Sequence, residues 1–197
     1  MRVSPTTIRQ PKRWDGTGEG GAHVSETIRV TIETELGDID VEVDPARAPV
    51  TAGNFLRYVD AGLYDGGSFY RTVTPENQPN DTVKIEVVQG GLTETRASDR
   101  SSPIPLERTS GTGLRHLNGV ISMARFAPDS AHSEYFICIG DQPELDFGGK
   151  RNPDGQGFAA FGLVTSGMDV VRRIQQSPAE GQSLTPPIAV NRIVRTA

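Results

Sequence analysis

Residues 26–44 read ETIRVTIETELGDIDVEVD, and their pattern decides the fold class. Ile28, Val30 and Ile32 alternate with polar residues, and beyond ELGD so do Ile39, Val41 and Val43. Side chains along a strand point alternately to its two faces. Each run therefore carries one apolar face, and the turn residues between them make the pair a β-hairpin. A hairpin with one face to bury needs further strands. The chain offers SFYRTV (68–73), EVVQG (86–90), GVISMA (119–124), EYFICIG (134–140), FAAFGLV (158–164) and IAVNRIVRT (188–196). Eight short strands bounded by turns, in a chain with 22 Gly and 14 Pro, predict a mainly all-β domain, a closed barrel or a sandwich.

Two segments carry helical spacing. PVTAGNFLRYVDAG (49–62) places Pro49 at a first helical position and Gly62 just past the end. Ala52, Phe55, Leu56 and Val59 then share one face. GMDVVRRIQQ (167–176) lines up Met168, Val171 and Ile174. Two helices among eight strands suit the two ends of a barrel.

The 197 residues fit one domain. Lys and Arg number 20 against 25 Asp and Glu, a net charge of −5, which argues against a general nucleic-acid binder. No apolar run reaches the roughly 18 residues of a membrane span. Residues 1–24 contain DGTGEGG, a flexible linker by composition, and have no apolar signal-peptide core. The domain is expected over 25–197. Its location is expected to be cytoplasmic as the sequence stands, or periplasmic if a signal peptide has been removed. With one cysteine, Cys138, no intrachain disulfide can form, and its place in EYFICIG reads as a small buried hydrophobe.

Most catalytic patterns are missing. His23, His116 and His132 do not stand at metal-ligand spacing. There is no G-x-S-x-G elbow and no P-loop lysine pattern. NPDGQG reads as a turn rather than a calcium loop, and Asp141, Glu144 and Asp146 as a solvated loop. What stays is Arg71 inside SFYRTV, Gln89 before two glycines that permit close backbone approach, and Phe136 and Leu145 further on. Arg71 has two readings. It is a surface arginine snorkelling outward, or it joins an amide and apolar walls to bind an extended peptide around a proline.

APVTAGNFLRYVDAGLYDGGSFYRTV, VVQGG and GVISMARFAPDSAHSEYFICI together resemble the cyclophilins, peptidyl-prolyl cis-trans isomerases, from about Thr27 to Val194. The resemblance implies a closed eight-stranded antiparallel barrel capped by two helices. It implies an enzyme that rotates Xaa-Pro bonds and assists folding, with no cofactor or metal. Its partners would be proline-containing peptides and unfolded proteins, without nucleic acid or membrane, and it would act as a monomer. Arg71 would be catalytic, Gln89 would hold a substrate carbonyl, and Phe136 would line the proline pocket with Leu145 and with Val87 in place of the usual methionine. Ala124 would offer backbone contacts. An isomerase-free reading, a proline-peptide binding module or chaperone with little turnover, stands beside it.

Several positions depart from the family pattern. Arg125 replaces asparagine, Glu134 glutamine, Phe158 a pocket histidine, Glu144 a tryptophan and Glu86 a pocket phenylalanine. Loss of the tryptophan donor implies weak cyclosporin binding. Arg125, Glu134 and Phe158 are expected to meet the peptide. Glu134 is either a solvated carboxylate at a strand end or an acceptor that orients Arg71 or Arg125. The span from Arg71 to Gln89 is about ten residues longer than usual, through PENQPNDTVKIE, and DFGGKRNPDGQG lengthens the loop before Phe158.

Overall fold

The computed structural model describes residues 26–196. The N-terminal linker, its His23 and the expected domain start at Ser25 lie outside the described residues. The hairpin forms as the alternation predicts: β1 (Ile28–Thr34) pairs antiparallel with β2 (Gly37–Val43), Val30 opposite Val41 and Ile32 opposite Ile39. The turn residues are Glu35 and Leu36, and Gly37 follows with a φ of +123°, a backbone state open mainly to glycine.

The remaining elements are α1 (Pro49–Asp60), β3 (Ser68–Val73), β4 (Val87–Gly91), the one-turn α2 (Thr109–Thr112), β5 (Val120–Met123), β6 (Tyr135–Cys138), β7 (Ala159–Ser166), α3 (Met168–Gln175), β8 (Ala179–Glu180) and β9 (Ser183–Arg195). The strand order is β1-β2-β7-β5-β6-β4-β3-β9, and β9 pairs back onto β1. An eight-stranded antiparallel sheet thus closes on itself. The two-residue β8 merely folds back on the start of β9. β9 begins well before the expected residue 188: Pro186 and Pro187 break the strand signal, yet they lie exposed between Ser183, which pairs with Arg71 and Glu180, and Ile188, which pairs with Phe69.

Inside the barrel Val30, Ile32, Ile39, Val41 and Val43 meet Phe55, Leu56 and Val59 of α1 and Val170, Val171 and Ile174 of α3. Phe55 stands edge-on to Tyr135 at 5.7 Å and lies 5.0 Å from Phe161. Two long helices cap the barrel as expected, while α2, at four residues, is too short to leave a periodic signal.

Apolar residues also occupy the other face of β4 and β6. Val88, Tyr135 and Ile137 point inward, and Val87, Phe136 and Cys138 join Val73, Ile85 and Leu145 in a second cluster. This explains why EYFICIG is apolar on both sides. Gly90 allows the strands beneath it to approach: a Cβ there would come within 2.8 Å of the Ser68 carbonyl oxygen and 3.1 Å of the Phe69 ring. Gly90→Ala should therefore destabilise the domain by about 1–3 kcal/mol, the usual range for overpacking, read as a lower urea midpoint at unchanged slope.

Candidate active site

A single cross-strand row builds the site. Arg71 on β3 faces Gln89 on β4, Gln89 faces Phe136 on β6, and Phe136 faces Ser122 on β5. Strict alternation would put Arg71 on the same face as Phe69, which is buried in the barrel interior. A bulge resolves this. The register shifts between Phe69 and Arg71, so Tyr70 is an extra residue on β3, and a bulge re-aims the side chains that follow it. Tyr70 and Arg71 both line the outer cleft.

The guanidinium of Arg71 is gripped by neutral oxygens. Nη1 donates to Gln89 Oε1 at 2.9 Å, and Nε and Nη2 donate to Gln182 Oε1 at 2.9 and 2.6 Å. Gln89 Nε2 donates to the Tyr70 hydroxyl at 2.7 Å, which fixes the amide's orientation. Burial, and next the charge of Arg151, lower the Arg71 pKa; an arginine still keeps its proton at any working pH.

Below Arg71 lies a cleft of about 600 Å³ with Val87, Phe136, Leu145, Ala124, Ile85 and Phe158 among its walls. Phe158 stands edge-on to Phe136 at 5.4 Å. Its backbone N–H donates to Leu145 at 3.0 Å, an approach allowed by Gly157, where a Cβ would lie 2.6 Å from the Asp146 carbonyl carbon. Arg125 also lines the cleft, but its side chain is fully buried. Nε donates to the Gly157 carbonyl at 2.8 Å, and Nη1 and Nη2 clamp Asp154 at 2.8 and 2.9 Å. The guanidinium carbon sits 5.1 Å from the centre of the Phe158 ring. Arg125 therefore braces the aromatic wall.

Three expectations need correction. Glu134 lines the cleft, yet it orients neither Arg71 nor Arg125: Oε1 accepts from Arg100 Nη2 at 2.5 Å, because the short helical stretch Glu94–Asp99 delivers Arg100 to this side. Glu86 does not take the place of a pocket aromatic. It accepts from Gln175 Nε2 at 3.1 Å, on the side of α3, and Ile85, one residue earlier and in phase with Val87, forms the wall. Asp146 is not solvated. It is 8% exposed and accepts from the ring and backbone N–H of His116 and from Arg115. Of its loop neighbours, Asp141 caps the Asn118 N–H and Glu144 the Lys150 N–H.

His116 went unassigned in the sequence and proves central. It is 1% exposed and stacks on Phe136 at 6.0 Å with 14° between the planes. Nδ1 is 2.8 Å from Asp146 Oδ1 and Nε2 2.9 Å from Ser122 Oγ. Burial lowers the His116 pKa. Burial opposes ionisation of Asp146, but the hydrogen bonds from His116 prevail and hold its pKa below the usual range. Both directions agree with a neutral imidazole that donates Nδ1–H to a carboxylate and accepts the Ser122 proton at Nε2. The order hydroxyl, imidazole, carboxylate is that of a hydrolytic triad. Ser122, however, is fully buried behind Phe136, so the array supports the ring. Cys138 is likewise buried, and burial pushes its thiol pKa far up. His132 bonds the Ser101 carbonyl at the cleft rim.

The family described as "Cyclophilin type peptidyl-prolyl cis-trans isomerase/CLD" matches residues 29–195. The chain belongs to this family. A peptidyl-prolyl cis-trans isomerase of Acinetobacter baylyi is 35% identical over 158 residues, 80% of this chain and 77% of that protein. One of Streptomyces antibioticus is 36% identical over 147 residues, 74% and 82% of the two chains. The solved cyclophilin of Cryptosporidium parvum, at 20% identity, covers 87% of this chain and 98% of its own with a TM-score of 0.69; a second structure of it was solved in the presence of the dipeptide Ala-Pro, with a TM-score of 0.69. The chain is a cyclophilin-type isomerase, an enzyme rather than a binding module without turnover.

Of the positions matched to the family, Arg71, Gln89, Phe136, Val87, Leu145, Ala124, Arg125, Glu134 and Phe158 come together around one cleft. Sequence reasoning missed Tyr70, Ile85, Gln182, His116 and Arg151. The isomerase should lose stability as acid charges His116. Its folded pKa is depressed, so the unfolded chain, with an ordinary pKa near 6.5, takes the proton first. Stability is full above about pH 7 and falls below pH 6.5, by at most about 1.4 kcal/mol per pH unit. Urea unfolding at about pH 7.5 and 5.5 should show this loss, and His116→Gln should flatten it.

Proposed function

We propose that Arg71 carries the rate of prolyl isomerisation, that Gln89 holds the substrate backbone, and that Phe136, Val87, Leu145 and Phe158 seat the pyrrolidine ring. Ala124 and Glu134 flank the peptide and Arg125 steadies Phe158. The observation that supports this is a guanidinium fixed by two neutral amides directly beside a cleft with apolar walls.

Resonance sets a barrier of about 18–20 kcal/mol to rotation about a peptide bond, and unassisted prolyl isomerisation takes tens to hundreds of seconds. Twisting the bond breaks the resonance and leaves a lone pair on the prolyl nitrogen. Arg71 donates a hydrogen bond to that lone pair only in the twisted state. An interaction stronger in the transition state than in the ground state speeds the reaction, and about 6 kcal/mol of it exceeds ten-thousandfold. No proton is transferred, so no acid or base is required. The Gln89 and Gln182 grips hold the guanidinium in place before the substrate arrives, which lowers the entropic cost of reaching that geometry.

The substrates are extended proline-containing segments, including those of unfolded chains. Glu144 offers an acceptor, already used by the Lys150 N–H, where the family's tryptophan offers a donor, so cyclosporin should inhibit weakly and Glu144→Trp should strengthen inhibition several-fold, as one hydrogen bond of about 1 kcal/mol would.

Exchange NMR on a capped Ala-Pro peptide tests the mechanism. Arg71→Ala should lower kcat/KM by more than about a hundredfold, or about 2.7 kcal/mol, with peptide affinity falling much less. Arg71→Lys should not restore turnover, since an ammonium lacks the planar fork that the two glutamines grip. Near-normal turnover in the alanine variant would remove Arg71 from the mechanism.

A further inference from the structure

The two lengthened loops meet at one side chain. Arg151 comes from the loop before Phe158. Its Nη1 donates to Gln78 Oε1 at 3.0 Å and to the Val83 carbonyl at 2.7 Å, and lies 3.1 Å from Asp81 Oδ2. All three partners belong to the loop between β3 and β4. That loop is itself ordered by the buried Gln78, which bonds the Thr74 carbonyl and both backbone groups of Ile85. The mutual bracing carries Arg151 to the wall of the cleft that holds Arg71. Both side-chain hydrogen bonds of Arg151 use Nη1, and Nε and Nη2 make none among the described residues.

The charge balance of the cleft is unlike that of the chain. The whole sequence carries a net −5, yet the charged residues lining the cleft are Arg71, Arg100, Arg125 and Arg151 against the single carboxylate of Glu134. Glu134 is paired with Arg100, and Arg125 is paired with Asp154 from outside the cleft. Asp81 faces Arg151 but is 43% exposed at its side chain, where solvent and salt screen it. Arg71 is held by amides and pairs with no carboxylate among the described residues. Two cations thus share one cavity, and the counter-charge that acts on both is the exposed Asp81.

We propose that this isomerase prefers substrates with an aspartate or glutamate side chain next to the proline, the carboxylate settling on the free edge of Arg151 within the field of Arg71. This rests on the reading above that the prolyl peptide binds in this cleft. A planar carboxylate matches the Nε–Nη2 edge of a guanidinium. It would also neutralise the repulsion between the two arginines, a gain unavailable to a neutral side chain and reversed for a lysine. Arg151 acts here as a specificity-determining residue.

The test compares capped, amidated peptides, Ac-Ala-Xaa-Pro-Ala and Ac-Ala-Ala-Pro-Xaa, with Xaa as Glu, Gln or Lys. Amidation removes the terminal carboxylate, so any preference belongs to the side chain. In at least one series kcat/KM for Glu should exceed that for Gln about fivefold, which is ~1 kcal/mol, with Lys below Gln. The ratio should fall towards one in 1 M salt, where the Debye length is about 3 Å. Arg151→Gln should abolish the Glu-to-Gln ratio, and Arg151→Lys should keep most of it. Should Arg151→Gln fail to fold, the lysine variant and the salt series decide. Turnover with a ratio near one in both series, or a ratio that survives both Arg151→Gln and high salt, overturns the proposal alone. No turnover of any peptide overturns the catalytic reading and this proposal with it.

Discussion

Closure of the sheet by the β1–β9 ladder is the constraint on which the rest of the structure depends. Once β9 pairs with β1, no edge remains in the ring, and the two faces of every strand acquire different duties. The inner face must fill a volume, and it does so with aliphatic side chains, the aromatic group around Phe55 and Tyr135, and the apolar faces of two helices. The outer face of β3, β4, β6 and β5 is then free to carry chemistry on a rigid base. Each functional side chain there stands on a strand whose other face is locked into the core, which is the support that precise positioning requires.

The row from Arg71 through Gln89 to Phe136 and Ser122 shows how this base is used. The bulge at Tyr70 breaks the alternation of β3 once, so that Phe69 stays in the core while Arg71 reaches the cleft. Behind the row, His116 stacks on Phe136 and ties it through hydrogen bonds to Ser122 and Asp146. These groups are buried and mutually satisfied, the condition under which buried polar groups rigidify a site rather than weaken it. Arg125 serves the opposite wall by clamping Asp154 and covering Phe158. The cleft thus keeps its shape from both sides.

The electrostatics follow from which partners are neutral. Had Arg71 been paired with a carboxylate, its charge would have been largely spent before a substrate arrived. Two glutamine oxygens hold its position and leave its charge available. Glu134, the cleft's one acidic wall residue, is claimed by Arg100. The consequence is a positively charged cleft on an acidic protein, and the lengthened loops add Arg151 to it.

The sequence by itself determined the strands and the two capping helices. Residues 26–44 show why: period-two alternation and turn chemistry are local, and burial of one face enforces them. The same holds for Pro49 and Gly62 at the ends of α1, and for Arg71, Gln89 and Phe136, each carried in a short stretch that matches a family motif. The tertiary structure alone decided contacts between distant segments. Gln182 grips Arg71 across 111 positions. The bulge at Tyr70 is defined only by the register of two neighbouring strands. Asp146 reads as a solvated loop acid until His116, thirty positions earlier, is folded against it. Glu134 found Arg100 rather than Arg71 or Arg125, because a carboxylate pairs with whichever cation the loops bring near, and loop paths are set by packing rather than by local pattern.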